Sequence, residues 1–188
     1  MHPVHPFQLR RAGQVLRTGG VVAYPTEAVY GLGCDPLDAD AVHRLLALKG
    51  RAAAKGVILI AADLEQLGPY LAPVDAGARQ RAEASWPGPV TWVWPARTGV
   101  PSWLSGGRDT LAVRVTDHAP AAALCEAFGG PLVSTSANRA GLPPARTPLE
   151  VRRAFPRGVD LIVHGPLGGR DRVSEIRDVR TGAVLRAG

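Results

Sequence analysis

Leu9, Ala12 and Leu16 recur at helical spacing between Pro6 and Thr18, and the run stops at Gly19-Gly20, a pair that ends helices well. Val21-Val22-Ala23-Tyr24 follows with no helical period and reads as a buried strand. Val42, Leu45, Leu46 and Leu48 then form the apolar face of a second helix, capped by Asp38 or Asp40 and ending around Lys49-Gly50-Arg51. Val57 to Ala61 is apolar and rich in strand formers, Asp75 to Ala84 reads as a polar surface helix, and Trp86-Pro87-Gly88-Pro89 breaks it. Strands are expected at Val90 to Trp94 and Leu111 to Val115. A helix is expected from Ala119 to Phe128, ended by Gly129-Gly130. Pro131-Leu132-Val133 is a short strand running into Ser134-Thr135-Ser136-Ala137-Asn138. Thr147-Pro148 opens a further helix, Leu161 to His164 is another strand, and Val173 to Arg186 suggests two short strands around Thr181-Gly182.

Many strands with interspersed helices, irregularly spaced, predict one α/β domain over residues 1–188, built on a twisted mixed parallel and antiparallel sheet flanked by helices. No apolar run reaches the roughly 20 residues a membrane helix needs, and the first residues lack the pattern of a secretory signal, so a cytoplasmic protein is expected. Cys34 and Cys125 have neither a CxxC partner nor histidines at metal-ligand spacing, so they are read as buried small apolar residues and no metal site is assigned.

The charge changes the picture. Lysine and arginine number 22 against 16 acidic residues, a net of +6, which favours anionic partners. No GxxxxGK[ST] loop and no GxGxxG fingerprint occurs, so a nucleotide would have to be bound another way. Three segments offer one. Pro25-Thr26-Glu27-Ala28-Val29-Tyr30-Gly31-Leu32-Gly33 leaves a buried strand dense in hydroxyl and carboxylate groups, although it also reads as a plain glycine-rich turn. Lys49, Arg51 and Lys55 put three cations within seven residues, either around an anion such as a triphosphate or on a solvated helix end. Ser134 to Asn138 is a polar cluster at a strand's end, a ligand position in open α/β sheets or a self-bonded turn.

Arg114 sits in an otherwise buried strand, which calls for a partner: a structural carboxylate such as Glu27 or Asp117, or a ligand carboxylate. His118 and His164 lie at strand ends without a paired nucleophile, so a hydrolytic triad is not supported. Trp86, Trp92, Trp94 and Trp103 cluster around one strand and are read as core rather than as stacking platforms for bases.

In order along the chain, PTEAVYGLGCDP at 25–36, LKGR at 48–51, WPGPVT at 86–91, LAVRVTDH at 111–118, PLVSTSANRAGLPP at 131–144, SEIRD and the terminal LRAG resemble the YrdC family, and in particular its short bacterial form. That resemblance implies a YrdC-like sheet with a deep basic cavity. It also implies an enzyme joining L-threonine, bicarbonate or CO2, and ATP into threonylcarbamoyl-AMP and diphosphate, for modification of the adenosine beside the tRNA anticodon. Carried over by motif, Lys49 and Arg51 are the catalytic KxR. Thr26, Arg114, Ser134 and Ser174 would contact threonine. Arg51, Lys55, Thr110, Ser136, Asn138, Pro144 through its backbone, and Arg186 would contact ATP. Mg2+ would be held mainly by the ATP phosphates, and other proteins of the threonylcarbamoyl-transfer machinery would take the product. Some relatives place a histidine in the strand after KxR. Here that strand reads Val57-Ile58-Leu59-Ile60, so this contact is missing. The competing class is a non-catalytic module for double-stranded RNA or tRNA, which would need the positive charge but neither PTEAVYG nor a carboxylate clamp.

Overall fold

The computed structural model describes residues 4–171 and 174–188. Strands β1 (Val22–Pro25) and β2 (Tyr30–Cys34) form a hairpin, and β3 (Ile58–Ala61), β4 (Val90–Pro95), β5 (Thr110–Val115), β6 (Leu132–Ser136), β7 (Leu161–Ile162), β8 (Glu175–Asp178) and β9 (Val184–Arg186) complete one sheet. Its order is β7-β1-β2-β6-β3-β5-β4-β8-β9. Pairs β1–β7, β3–β5 and β4–β8 are parallel, and the other neighbours are antiparallel, so the sheet is mixed as expected.

Helices α1 (Pro6–Arg17), α2 (Ala39–Lys49), α3 (Leu64–Leu67), α4 (Ala76–Glu83), α5 (Ser102–Ser105), α6 (Ala119–Phe128) and α7 (Pro148–Ala154) flank it. Their ends follow the local chemistry. Asp38, Asp75 and Thr147 accept from the backbone N–H groups of Ala41, Ala78 and Glu150. Gly50 closes α2 in the left-handed region, at φ 63°, and so turns the chain sharply at Arg51.

Alternation along the strands divides the core in two. Val22, Tyr24, Ile60 and Leu132 point to one face, under α1 and α6, with Ala12, Leu16, Leu124 and Cys125. Val21, Ala23, Leu59, Val113 and Val133 point to the other, with Val42, Leu45, Ala78, Ala82 and Val151. Trp92 and Trp94 are 3% and 4% exposed in that second layer, and Trp86 stacks on Trp94, so these indoles are core.

The largest difference from the expected elements is β2. A segment that reads equally as a glycine-rich turn is a central strand between β1 and β6. The glycines have a packing reason: a Cβ on Gly33 would meet the Val133 carbonyl at 2.7 Å and the Tyr24 ring at 2.9 Å, and one on Gly31 would meet Tyr24 at 3.3 Å. Bare backbone lets the Tyr24 ring lie across β2 and donate its hydroxyl to Ser134 Oγ at 2.8 Å. The strand expected to reach His164 is assigned only over Leu161–Ile162, and the short α3 and α5 carry too few residues for a periodic signal. Val173, the expected start of the last hairpin, lies outside the described residues.

Candidate functional site

Helices α1 and α6 cover only part of their face of the sheet. Leu132, Ile60 and Tyr24 lie beneath them, whereas Ser134 and Ser136 on β6, Ile58 on β3, Ala112 and Thr110 on β5, Val93 on β4 and Ile176 on β8 continue the same face and line an open cavity of about 240 Å³. The register requires it: Ile58 lies opposite both Ser134 and Ala112, Ala112 opposite Val93, and Ile60 opposite Arg114. The walls come from the 26–31 segment, the 51–57 loop, residues 104–108, and Arg170, Ser174 and Arg186.

Six cations line this cavity, namely Arg51, Lys55, Arg108, Arg114, Arg170 and Arg186, against one carboxylate among the described lining residues, Glu27. Crowding leaves its mark. Burial and then the charges of Arg186 and Arg108 lower the proton affinity of Arg51, and burial and Arg114 do the same to Arg186. An anion in the cavity would relieve both.

Arg114 is 8% exposed and Glu27 4%, and Arg114 Nη2 donates to Glu27 Oε2 at 3.1 Å. Thr116 Oγ1 donates to the other carboxylate oxygen at 2.5 Å, and the His118 backbone N–H donates to Thr116 Oγ1. Arg114 Nε is buried without a hydrogen-bond partner. The structural and ligand-binding readings of this residue are therefore not exclusive: one edge of the guanidinium holds Glu27, and the side chain still forms cavity wall with donor capacity left over. The His118 ring is not among the lining groups, its Nδ1 has no partner, and burial holds it below the ordinary histidine value against the opposing pull of Glu27.

The other expected threonine-side residues stand at the same cavity. Thr26 Oγ1 donates to Val29 O at 2.7 Å, Ser134 Oγ accepts from Tyr24, and Ser174 Oγ accepts from Thr91 Oγ1 at 3.0 Å. On the expected ATP side, Arg51, Lys55, Thr110, Ser136 and Arg186 line the cavity, and Arg186 Nη2 donates to Ser174 O at 2.7 Å. Lys49, Asn138 and Pro144 do not line it. Lys49 is 5% exposed, and its ammonium donates to Ser136 O, to Asn138 O at 2.8 Å and to Asn138 Oδ1 at 3.2 Å. Ser136 Oγ donates to the same Oδ1 at 2.6 Å. Lys49 thus fastens the turn after β6 from behind, and burial, helped by Arg51, pulls its pKa down to about 8. Ile60 is fully buried beneath α6, away from the cavity, whereas Ile58 lines it.

Two lining arginines escape a motif reading. Arg108 and Arg170 are each the third residue of a Gly-Gly-Arg-Asp run, at 106–109 and 168–171, and that repeated tetrapeptide is the signal that could have found them. Arg170 pairs with Asp117 at 2.8 Å, while its backbone N–H donates to Glu27 O and that of Gly168 to Thr26 O, strapping the 165–171 segment to the hairpin turn.

Among the described residues no helix is long and apolar enough to cross a membrane, and no group of three or more His, Cys, Asp or Glu could hold a metal ion. The Sua5, YciO and YrdC family model, described as "Telomere recombination", matches residues 14–188. A protein of Halorhodospira halophila called threonylcarbamoyl-AMP synthase is 63% identical over 181 residues, covering 96% of this chain and 95% of its own. A Nitrosococcus oceani protein of the same name is 58% identical over 180 residues, covering 96% and 97%. Among solved structures, P. abyssi Sua5 complexed with L-threonine superposes with a TM-score of 0.88 at 35% identity, over 94% of this chain and 52% of that one. A match along nearly the whole chain, at this identity and on this same mixed sheet, places the chain in the Sua5/YciO/YrdC family.

Proposed function

We propose that this chain is a threonylcarbamoyl-AMP synthase, which joins L-threonine, bicarbonate or CO2, and ATP and releases diphosphate. The observation that carries this reading is one cavity lined, among the described residues, by six cations and a single carboxylate, in a chain 63% identical to a protein of that name. Threonine's amine takes up CO2 and loses a proton to become a carbamate. A carbamate oxygen then attacks the α-phosphorus of ATP, the bond from that phosphorus to the bridging oxygen breaks, and diphosphate leaves with the electron pair. Such a transfer asks for positioning and cationic stabilisation more than covalent help. Arg51 and Lys55 serve the triphosphate, with Thr110, Ser136 and Arg186 beside them. Arg114 takes the amino-acid carboxylate, with Thr26, Ser134 and Ser174 around the rest of threonine. Lys49 and Asn138 act through the turn that carries Ser136. Mg2+ enters as part of the nucleotide substrate, held by phosphate oxygens, because Glu27, the one carboxylate among the described lining residues, is already committed to Arg114 and Thr116. The product is a labile mixed anhydride, so partner proteins of the tRNA threonylcarbamoyl-transfer machinery receive it directly.

Diphosphate release from radiolabelled ATP tests this. It should require L-threonine and bicarbonate together, and equal release without threonine would make the chain a simple ATPase. A module that only binds RNA would release none, and its affinity for RNA would fall steeply with salt.

A further inference from the structure

The loop between α2 and β3 is held in an unusual way. Three consecutive carbonyls, those of Ala54, Lys55 and Gly56, each accept from a guanidinium: Arg108 Nη1 donates to Ala54 O at 3.0 Å, Arg108 Nη2 to Lys55 O at 2.9 Å, and Arg51 Nε and Nη2 to Gly56 O at 3.3 and 3.0 Å. The loop 105–108 that delivers Arg108 lies close enough against 54–56 that side chains are excluded. A Cβ on Gly106 would meet Ala54 O at 2.5 Å and Gly56 N at 2.8 Å, and one on Gly56 would meet Arg108 Nη2 at 2.5 Å and Leu104 O at 3.1 Å. Val57 N donates to Leu104 O, closing the same contact from the β3 side.

Turning the carbonyls toward Arg108 and Arg51 matters for a neighbouring anion. A carbonyl oxygen facing a triphosphate repels it, so a loop that must present Lys55 to phosphates needs its own oxygens drawn elsewhere. Neither expected ATP contact nor motif includes Arg108. We propose that Arg108 is a positioning residue for the nucleotide: its two-pronged grip on Ala54 O and Lys55 O fixes the loop that carries Lys55 on the triphosphate side of the cavity. This inference rests on the assignment of that cavity to ATP.

The grip is geometric as well as electrostatic, and the two can be separated. Arg108→Lys keeps the charge and loses one of the two prongs. Gly106→Ala keeps every charge and displaces the loop. ATP affinity measured by calorimetry with Mg2+ present should fall about tenfold in Arg108→Lys and in Arg108→Ala alike, and the ATP KM for diphosphate release should rise by a similar factor. The threonine KM at saturating ATP should stay within about twofold, since the side-chain hydrogen bonds of Arg114, Thr26, Ser134 and Ser174 go to Glu27, Val29, Tyr24 and Thr91 rather than to this loop. Gly106→Ala, if it keeps the wild-type circular dichroism spectrum, should reproduce the ATP defect. Wild-type ATP affinity in Arg108→Lys would overturn the positioning role and leave Arg108 as charge alone, and so would a threonine KM that rises as much as that of ATP. If Arg108→Ala does not fold, the Lys variant decides. Failure of the wild-type chain to bind ATP at all would instead sink the assignment of the cavity.

Discussion

Arg114 shows why a single side chain can carry two roles here. Its pair with Glu27 is nearly closed to water, so Arg114→Ala leaves an uncompensated buried carboxylate and should cost about 3–5 kcal/mol of stability. The same change removes a donor from the cavity wall. A second substitution separates the two effects. Adding Glu27→Gln to Arg114→Ala removes the stranded charge and should recover most of the lost stability in urea unfolding, while the threonine KM stays high. Recovery of threonine affinity together with stability would reduce Arg114 to a structural ion pair. The sequence pointed to this residue, because an arginine in a buried strand needs a partner, and it named Glu27 as one. It could not show a guanidinium paired with Glu27 and at the same time part of the cavity wall, which depends on the register of β5 against β3 and on the hairpin turn at 26–29.

At the scale of elements, Lys49 is the joint between α2 and the turn after β6. Helical periodicity located the end of α2 and so brought Lys49 and Arg51 into view together. Gly50, in the left-handed region, then sends them to different places: Lys49 back under Ser136 and Asn138, Arg51 into the cavity. The buried ammonium gives the joint a pH dependence. Between about 8 and an ordinary lysine value near 10.5, the folded chain has released the Lys49 proton and the unfolded chain still holds it, so this group makes stability rise with pH across that window. Below it both states are protonated and the penalty is constant. Unfolding free energies of wild type relative to Lys49→Met should therefore grow by on the order of 2–3 kcal/mol from pH 7.5 to pH 10.5, and a flat difference would mean that Lys49 titrates normally. A neutral amine has two hydrogens for three oxygens, so turnover should decline over the same range as stability climbs.

Across the whole molecule, one face of the sheet is half roofed by α1 and α6 and half left open, and the arginines collect in the open half. Repulsion among them is a standing cost of the ligand-free fold, which makes anion binding a source of stability. Mg-ATP at a hundredfold excess over its Kd should add about 2.7 kcal/mol, or roughly 5–11 °C in melting temperature for a chain of this size, with a further increase when threonine is added. A melting temperature indifferent to ATP would argue that the cavity does not take nucleotide. Chloride at equal ionic strength is the control, since screening alone would also relieve the repulsion.

By itself the sequence determined the elements whose signals are local. Periodic apolar positions and caps placed α1, α2, α4, α6 and α7, apolar runs rich in strand formers placed β1 and β3 to β9, and the ordered motifs placed the chain's family. Only the tertiary structure decided the rest. Gly31 and Gly33 read locally as a turn, and they form a central strand because Tyr24 needs bare backbone to cross to Ser134. Arg108 and Arg170 sit in exposed glycine loops about 60 residues apart in sequence, and their place beside Arg51 follows from strand order rather than from any local pattern. Lys49 and Arg51 look equivalent in sequence, and packing separates them: the buried ammonium spends its donors on the turn after β6, while the guanidinium gives one edge to Gly56 O and keeps donors at the cavity wall for an anion.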